Sequence, residues 1–244
     1  MFYKRNLIMP IKILNENFVL PSDISAIYIG GELYYQKSSG TQYGLSFNGT
    51  NSIVTLGTGN LSDIFNGSTD FTITAYCYTE MTGNAYVNTF REHLEVDIYV
   101  ASGGYSFRMK DGSTHSIDAT AGQSSGWCVL ACTFNHTTNQ MRFLINGTPI
   151  GTATITTPSY VKGMSDAFSQ SYGAGYTFDG ILANFAVYNT LLNDTQIGGL
   201  SGKDVISGAN LLHHWDFQDG AGDTLTDIIG GVNGTISNCT WVTI

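Results

Sequence analysis

The residues best placed to do chemistry lie in the run Glu95-Val96-Asp97-Ile98-Tyr99-Val100. Strand alternation puts Glu95, Asp97 and Tyr99 on one face and Val96, Ile98 and Val100 on the other. Two carboxylates on one face could attack a glycosidic bond, provided a nucleophile and an acid/base stand about 5–5.5 Å apart. A Glu-x-Asp-x-x-Glu order would supply them, but Val100 fills the last position. Glu92 is the acid nearest in sequence and has the wrong parity for the same face. A nucleophile without its acid does not hydrolyse a glycoside, so this strand reads as a solvated or ligand-holding face.

Four aspartates, Asp216, Asp219, Asp223 and Asp227, cluster around Gly220 and Gly222. Hard cations take several carboxylate and carbonyl oxygens from a flexible loop, which makes these four calcium candidates. The competing reading is that they form turns by bonding their own backbone. His213 and His214 are adjacent, so on a strand they point opposite ways and cannot chelate together; one is expected in the core or an interface, the other in water. Gly-x-Ser-x-Gly and Gly-x-x-x-x-Gly-Lys are both absent. Of the four cysteines, Cys128 and Cys132 share a strand face about 13 Å apart, too far to bond each other. Cys77 could bond either only if their strands are neighbours, and buried thiols are the expectation for all four, Cys239 included.

A non-catalytic surface fits the polar phase of the strands better. Tyr76, Tyr78, Glu95, Asp97, Tyr99, Arg108 and Arg142 all fall opposite the apolar residues of their strands. Sugar rings stack on aromatic faces and hydrogen-bond to such polar groups. The same face would equally serve to pack against a neighbouring subunit or the N-terminal segment. Net charge is -9, from 19 acidic and 10 basic residues. Nucleic acid is therefore an unfavourable partner. No run of apolar residues is long enough for a membrane span. The start, MFYKRNLIMPIKIL, is broken by Pro10 and Lys12 and lacks a small-residue cleavage site, so no signal peptide is expected.

These residues need strands to position them. Charged residues make up only 12% of the chain, while it carries 29 glycines, a balance suited to strands joined by tight turns. Four Asn-Gly-Thr or Asn-Gly-Ser tripeptides, at Asn48, Asn66, Asn146 and Asn233, mark turns. YGLSFNG and SIVTLG flank the first. FTITAYCY alternates cleanly, AYVNTFR, HLEVDIYV, GYSFRMK and THSIDAT read as a meander, and WCVLACTF with MRFLING reads as a hairpin. Residues 157–176 are polar, aromatic-dotted and without period, as expected of a long surface loop. After ILANFAVY, Asn193 and Gln196 form a capping box and Gly198-Gly199 stops a single helical turn. LLHHWDF, a short TLTDI piece and a last strand of about TISNCTWVTI complete the chain. In residues 1–41, IKILNENFVL and ISAIYIGGELYYQ read as short strands around a Pro21-Ser22-Asp23 turn, with Gly30-Gly31 turning IYI back onto ELYY; such short hairpins cannot bury a core of their own. They read as a docking or oligomerising β arm before a sandwich over 42–244.

Five blocks resemble the laminin-G-like, concanavalin-A-like jelly roll: GLSFNGTNSIVTLGTG, DFTITAYCYTE, GWCVLACTFN with MRFLINGTPIG, FDGILANFAVYNTLLNDTQI and LLHHWDFQDGAGDTLTDIIGGVNGTI. The resemblance implies an all-β, two-sheet antiparallel sandwich. It departs from the family where Ala183 and Asn184 replace an Asp-Glu pair and Cys128 stands where a histidine is common, so the family's calcium sites do not carry over. The fold hosts lectins, glycosidases and assembly proteins alike and does not choose the activity. ISAIYIGGELYYQ is similar to short β elements near the start of tailed-phage structural proteins. The expectation is a non-enzymatic virion surface protein (capsid decoration, fibre or tail-associated), homo-oligomeric, partnered by other virion proteins and by cell-surface glycans. An extracellular bacterial carbohydrate-binding module and a glycosidase of degenerate motif are the alternatives.

Overall fold

The structure is a computed structural model that describes residues 26–29, 32–36, 41–61, 64–65, 69–79, 85–90, 96–101, 104–110, 114–119, 125–155, 166–169, 177–208 and 210–244. The chain divides into two compact units, Met1–Ser39 and Gly40–Ile244. In the first, β1 (Ala26–Ile29) pairs antiparallel with β2 (Glu32–Gln36), so IYI returns onto ELYY as the glycine pair implies. IKILNENFVL lies outside the described residues.

The second unit is a sandwich. In chain order its strands are β3 (Tyr43–Asn48), β4 (Ile53–Gly57), β5 (Phe71–Thr79), β6 (Ala85–Phe90), β7 (Val96–Ala101), β8 (Gly104–Lys110), β9 (Thr114–Ala119), β10 (Gly126–Asn135), β11 (Gln140–Ile145), β12 (Thr148–Thr154) and β13 (Asp166–Phe168). Then come β14 (Asp179–Tyr188), the helix α1 (Asp194–Gly198), β15 (Leu211–Trp215), β16 (Thr224–Leu225), β17 (Gly234–Ser237) and β18 (Thr240–Thr243). One eight-stranded sheet runs β12-β11-β10-β5-β14-β3-β18, with β15 on the far half of β14. The other runs β16-β17-β4-β13-β6-β7-β8-β9, and every pairing is antiparallel. The fold class read from the sequence, an all-β two-sheet sandwich, is the one observed.

Alternation builds the core. Ile73, Ala75 and Cys77 of β5, Leu130, Cys132 and Phe134 of β10, and Ile98, Val100 and Phe107 across β7 and β8 are all buried between the sheets. Phe168 packs edge-on to Trp215 at 5.3 Å and lies 4.8 Å from Phe185, ring centroid to centroid. Each such ring contributes about 3 kcal/mol by leaving water.

Two expectations are corrected. The long loop over 157–176 contains a strand: Asp166–Phe168 is buried and inserted between β4 and β6. Three residues are too few to show a period, and only the Phe168 anchor betrays them. YGLSFNG and SIVTLG flank a turn as read, but they do not pair with each other across it, because β3 and β4 belong to different sheets. Asn48 makes a corner there, its Oδ1 accepting from the backbone N–H of Thr50, Asn51 and Ser52. TISNCTWVTI is likewise two strands in different sheets, broken at Asn238, whose φ of 56° lies in the left-handed region. The two crossings are bonded together, with Ser52 Oγ donating to the Asn238 carbonyl and Asn238 Nδ2 to that of Asn51. Beyond them β18 pairs with β3, and the Ile244 N–H donates to the Gln42 carbonyl at 2.9 Å.

The helix is the element that shapes the outer face of the first sheet. Asn193 Oδ1 accepts from the Gln196 N–H and Gln196 Oε1 from the Asn193 N–H, both at 2.9 Å, so the capping box is complete. Ile197 then packs with Ala131, Leu144, Ala186, Tyr188 and Leu192 in a second, smaller core on that face. Val205, Ile206 and Leu211 extend it.

Candidate functional site

The outward residues of β5 and β10 meet beyond this small core. The register sets Trp127 opposite Tyr78, Cys128 opposite Cys77 and Val129 opposite Tyr76. Cys77 and Cys128 point into the core, so Tyr76, Tyr78 and Trp127 point out. Trp127 leans diagonally and stacks on Tyr76, with centroids 4.5 Å apart and planes 24° from parallel. Tyr78 closes its other side at 5.8 Å and 59°. Trp127 remains 36% exposed, while the two tyrosines are half-buried. Burial raises the Tyr76 hydroxyl above its ordinary pKa, so it stays a neutral donor and acceptor at physiological pH. The result is a three-ring aromatic ledge open to water.

The segment after α1 borders the ledge. A Cβ on Gly202 would come 4.0 Å from the Tyr76 ring, and this glycine has a φ of 57°. The neighbouring Lys203 ammonium donates to the carbonyls of Tyr43 and Asp216, the latter at 2.9 Å. Its burial pulls the pKa down to about 8. Behind it, His214 Nε2 lies 2.8 Å from Asn184 Oδ1, and Asn184 Nδ2 donates to the Asp204 carbonyl. Desolvation lowers the pKa of His214, which leaves it neutral with Nε2–H as donor. These groups hold one another and stiffen the base of the ledge.

The described members of the seven polar-phase candidates lie in two different sheets. Tyr76, Tyr78 and Arg142 belong to the first sheet, and Asp97, Tyr99 and Arg108 to the second. Glu95 lies outside the described residues. Arg142 donates to Asp194 Oδ1 at 2.7 Å and so ties β11 to the first turn of α1. On the second sheet Arg108 Nη2 bonds Asp97 Oδ2 at 3.0 Å, and its guanidinium lies 4.2 Å above the Tyr99 ring. Asp97 is only 2% exposed, so its carboxylate is part of a closed ion pair rather than of a solvated face. Next to this cluster, Asp118 accepts from Ser106 and Ser116.

Both histidines of the His213-His214 pair are buried, which corrects the expectation that one would be wet. They do face opposite ways, but each side is covered. His213 stacks on Trp215 at 5.5 Å and its Nδ1 lies 2.6 Å from Asp227 Oδ2, while His214 is enclosed with Asn184. Asp227 also accepts from the backbone N–H groups of His214, Ile229, Gly230 and Val232. Against the cost of burial, the bond to His213 and these backbone bonds hold its pKa down to about 2. Asp219 bonds Thr226, and Asp216 accepts from the Gln218 N–H. Three of the four calcium candidates are thus engaged with their own turns. Among the described residues no group of three or more His, Cys, Asp or Glu side chains is arranged to hold a metal ion.

Trp127 is the site residue that the candidates from sequence omit. Its parity was readable, since it sits one residue before the inward Cys128. Its weight comes only from the β5–β10 register, which sets it between two tyrosines.

The model of the concanavalin A-like lectin/glucanases superfamily matches residues 48–198, well over half of the chain, and the protein belongs to that superfamily. No curated relative matches it in sequence. Among solved structures, one from Bacteroides ovatus described as a candidate carbohydrate-binding protein superposes with a TM-score of 0.67 at 14% identity, over 86% of this chain and 62% of that one. The chain therefore spans less than two thirds of that protein's length. The heptameric SAP-like pentraxin of Limulus polyphemus gives 0.55 at 12% identity, over 83% of this chain and 94% of that one. The CBM40 domain of the Ruminococcus gnavus IT-sialidase, bound to alpha2,3 sialyllactose, gives 0.53 at 14% identity, over 67% and 100%. The chain thus has the fold of lectins and carbohydrate-binding modules.

Proposed function

We propose that this protein is a non-enzymatic glycan-binding sandwich whose ligand stacks on the ledge of Trp127, Tyr76 and Tyr78. The observation that carries this reading is an exposed tryptophan held flat against one tyrosine and flanked by another on the outside of a sheet. A hydrated aromatic ring in a fixed orientation offers a sugar's C–H face apolar area at little further entropy cost, and the tyrosine hydroxyls offer hydrogen bonds. The carboxylate that a glycosidase reading would use, Asp97, is committed to Arg108. A broad glycan array followed by titration calorimetry tests the reading: binding is expected in the micromolar to millimolar range and weakened about 30-fold in Trp127→Ala. A clean array, or Trp127→Ala binding like the parent, would overturn it. Polysaccharide cleavage abolished by Glu95→Gln would replace it with the enzyme reading.

We further infer that the domain is displayed on the outside of a phage particle, with residues 1–39 as its anchor. Support comes from the resemblance of ISAIYIGGELYYQ to phage structural segments and from residues 1–39 forming a compact unit of their own. Deleting residues 1–39 is expected to leave a soluble sandwich that no longer enters particles, and normal incorporation would sink this placement.

A further inference from the structure

The two strands that carry the ledge on their outer side face each other with a pair of thiols on their inner side. Cys77 sits between Tyr76 and Tyr78, and Cys128 follows Trp127. The two cysteines are direct partners in the β5–β10 register, with Sγ atoms 4.0 Å apart and both thiols free. Directly opposed residues of antiparallel strands have Cα atoms about 4.5–5.5 Å apart, within the span a disulfide bridges. Side-chain rotation alone can therefore bring the sulfurs to bonding distance. Tyr105 of the opposite sheet completes the cluster, its Oη 3.0 Å from Cys128 Sγ and 4.0 Å from Cys77 Sγ. Cys132, on the same face of β10, is opposite Ile73 and has no thiol partner in that register.

We propose that Cys77 and Cys128 are a latent cross-strand disulfide, closed by a peroxide, that staples together the two strands bearing the aromatic ledge. Cys128 is the first to react. It is 8% exposed where Cys77 is fully buried, and its hydrogen bonds with Cys77 and with Tyr105 hold its thiol below the ordinary pKa. Peroxide converts the Cys128 thiol to a sulfenic acid and releases one water. The Cys77 thiol then attacks that sulfur, its proton leaves with the hydroxyl as a second water, and the sulfur–sulfur bond forms. Two thiols and one peroxide thus give one disulfide and two waters. The bond closes a covalent loop across a sequence separation of 51 residues. Such a constraint acts chiefly on the unfolded chain, so the oxidised form is the more stable one.

The whole chain, reduced and then treated with a small excess of hydrogen peroxide, tests this. The expected product is lighter by about 2 Da, blocks alkylation of two thiols and yields a 77–128 cross-linked peptide on digestion. Its Tm is expected to rise by about 5–10 °C, reversed by a reductant. Amide exchange over residues 76–79 and 127–130 is expected to slow at least about tenfold. Cys77→Ser and Cys128→Ser should abolish the cross-link, and Cys132→Ser should not. If a serine variant fails to fold, the wild-type peptide map still decides. Overoxidation of Cys128 without a cross-link, or a cross-link through Cys132 or Cys239, would overturn the proposal. The cross-link is read by mass alone, so its failure is separate from any failure of glycan binding, on which only the link to the ledge rests.

Discussion

Replacing Trp127 by alanine removes the exposed ring from the ledge and leaves the main core untouched. An indole side chain offers up to about 250 Å², and Trp127 keeps 36% of its surface exposed, so a stacked sugar covers at most roughly 90 Å². At about 25 cal/mol per Å² this is worth roughly 2 kcal/mol, or a weakening of about 30-fold. Trp127→Phe keeps a smaller ring in the same place and should lose less than half of that free energy. The assay is calorimetric titration with the strongest glycan found on an array, with thermal melting as a control. The stack on Tyr76 is worth about 0.5–1.5 kcal/mol to the fold, so melting should shift by only a few degrees. A folded Trp127→Ala protein that binds within twofold of the parent would refute the reasoning. So would equal losses in Tyr99→Ala and Trp127→Ala, since those rings belong to different sheets.

Phe168→Ala should cost about 3–5 kcal/mol, seen as a lower urea midpoint, because the ring is fully buried against Trp215 and Phe185; a loss under about 1 kcal/mol would show that β13 is not a core strand. The folded-state pKa of Asp227 is depressed to about 2 from 3.8. Its stabilisation of roughly 2 kcal/mol is therefore complete above pH 4 and lost as pH falls towards 2. Urea midpoints measured from pH 5 to pH 2 should fall more steeply in the parent than in Asp227→Asn. Arg108→Ala takes the guanidinium from a buried carboxylate and should cost about 3 kcal/mol. Adding Asp97→Asn should recover part of that loss, and neither change should weaken glycan binding at the ledge.

The fold was legible because the long strands carry period-two patterns that only a sandwich buries, as in Phe71–Thr79 and Gly126–Asn135. The Asn193–Gln196 cap was legible because both halves of the box are local. Pairings between sheets were not, since nothing in YGLSFNGTNSIVTLG separates a hairpin from a corner. The difference lies in Asn48 accepting from the backbone of Thr50, Asn51 and Ser52 and in the partners that β3 and β4 find far along the chain. For the same reason Tyr76 and Tyr99 looked equivalent in sequence. Each is outward on its strand, but outward has two meanings in a two-sheet protein. One of His213 and His214 was expected in water because strand parity says which way a side chain points and not what another segment lays over it.

The hydrogen bond from Ile244 to Gln42 and the pairing of β18 with β3 have a topological result. Both ends of the sandwich leave it at one spot. A host polypeptide could carry the domain as a side branch grafted at a single loop, without its path being stretched, and the sandwich itself could be reopened at another turn and joined across 42 and 244. Attachment then constrains one edge only, where β3 and β18 run together.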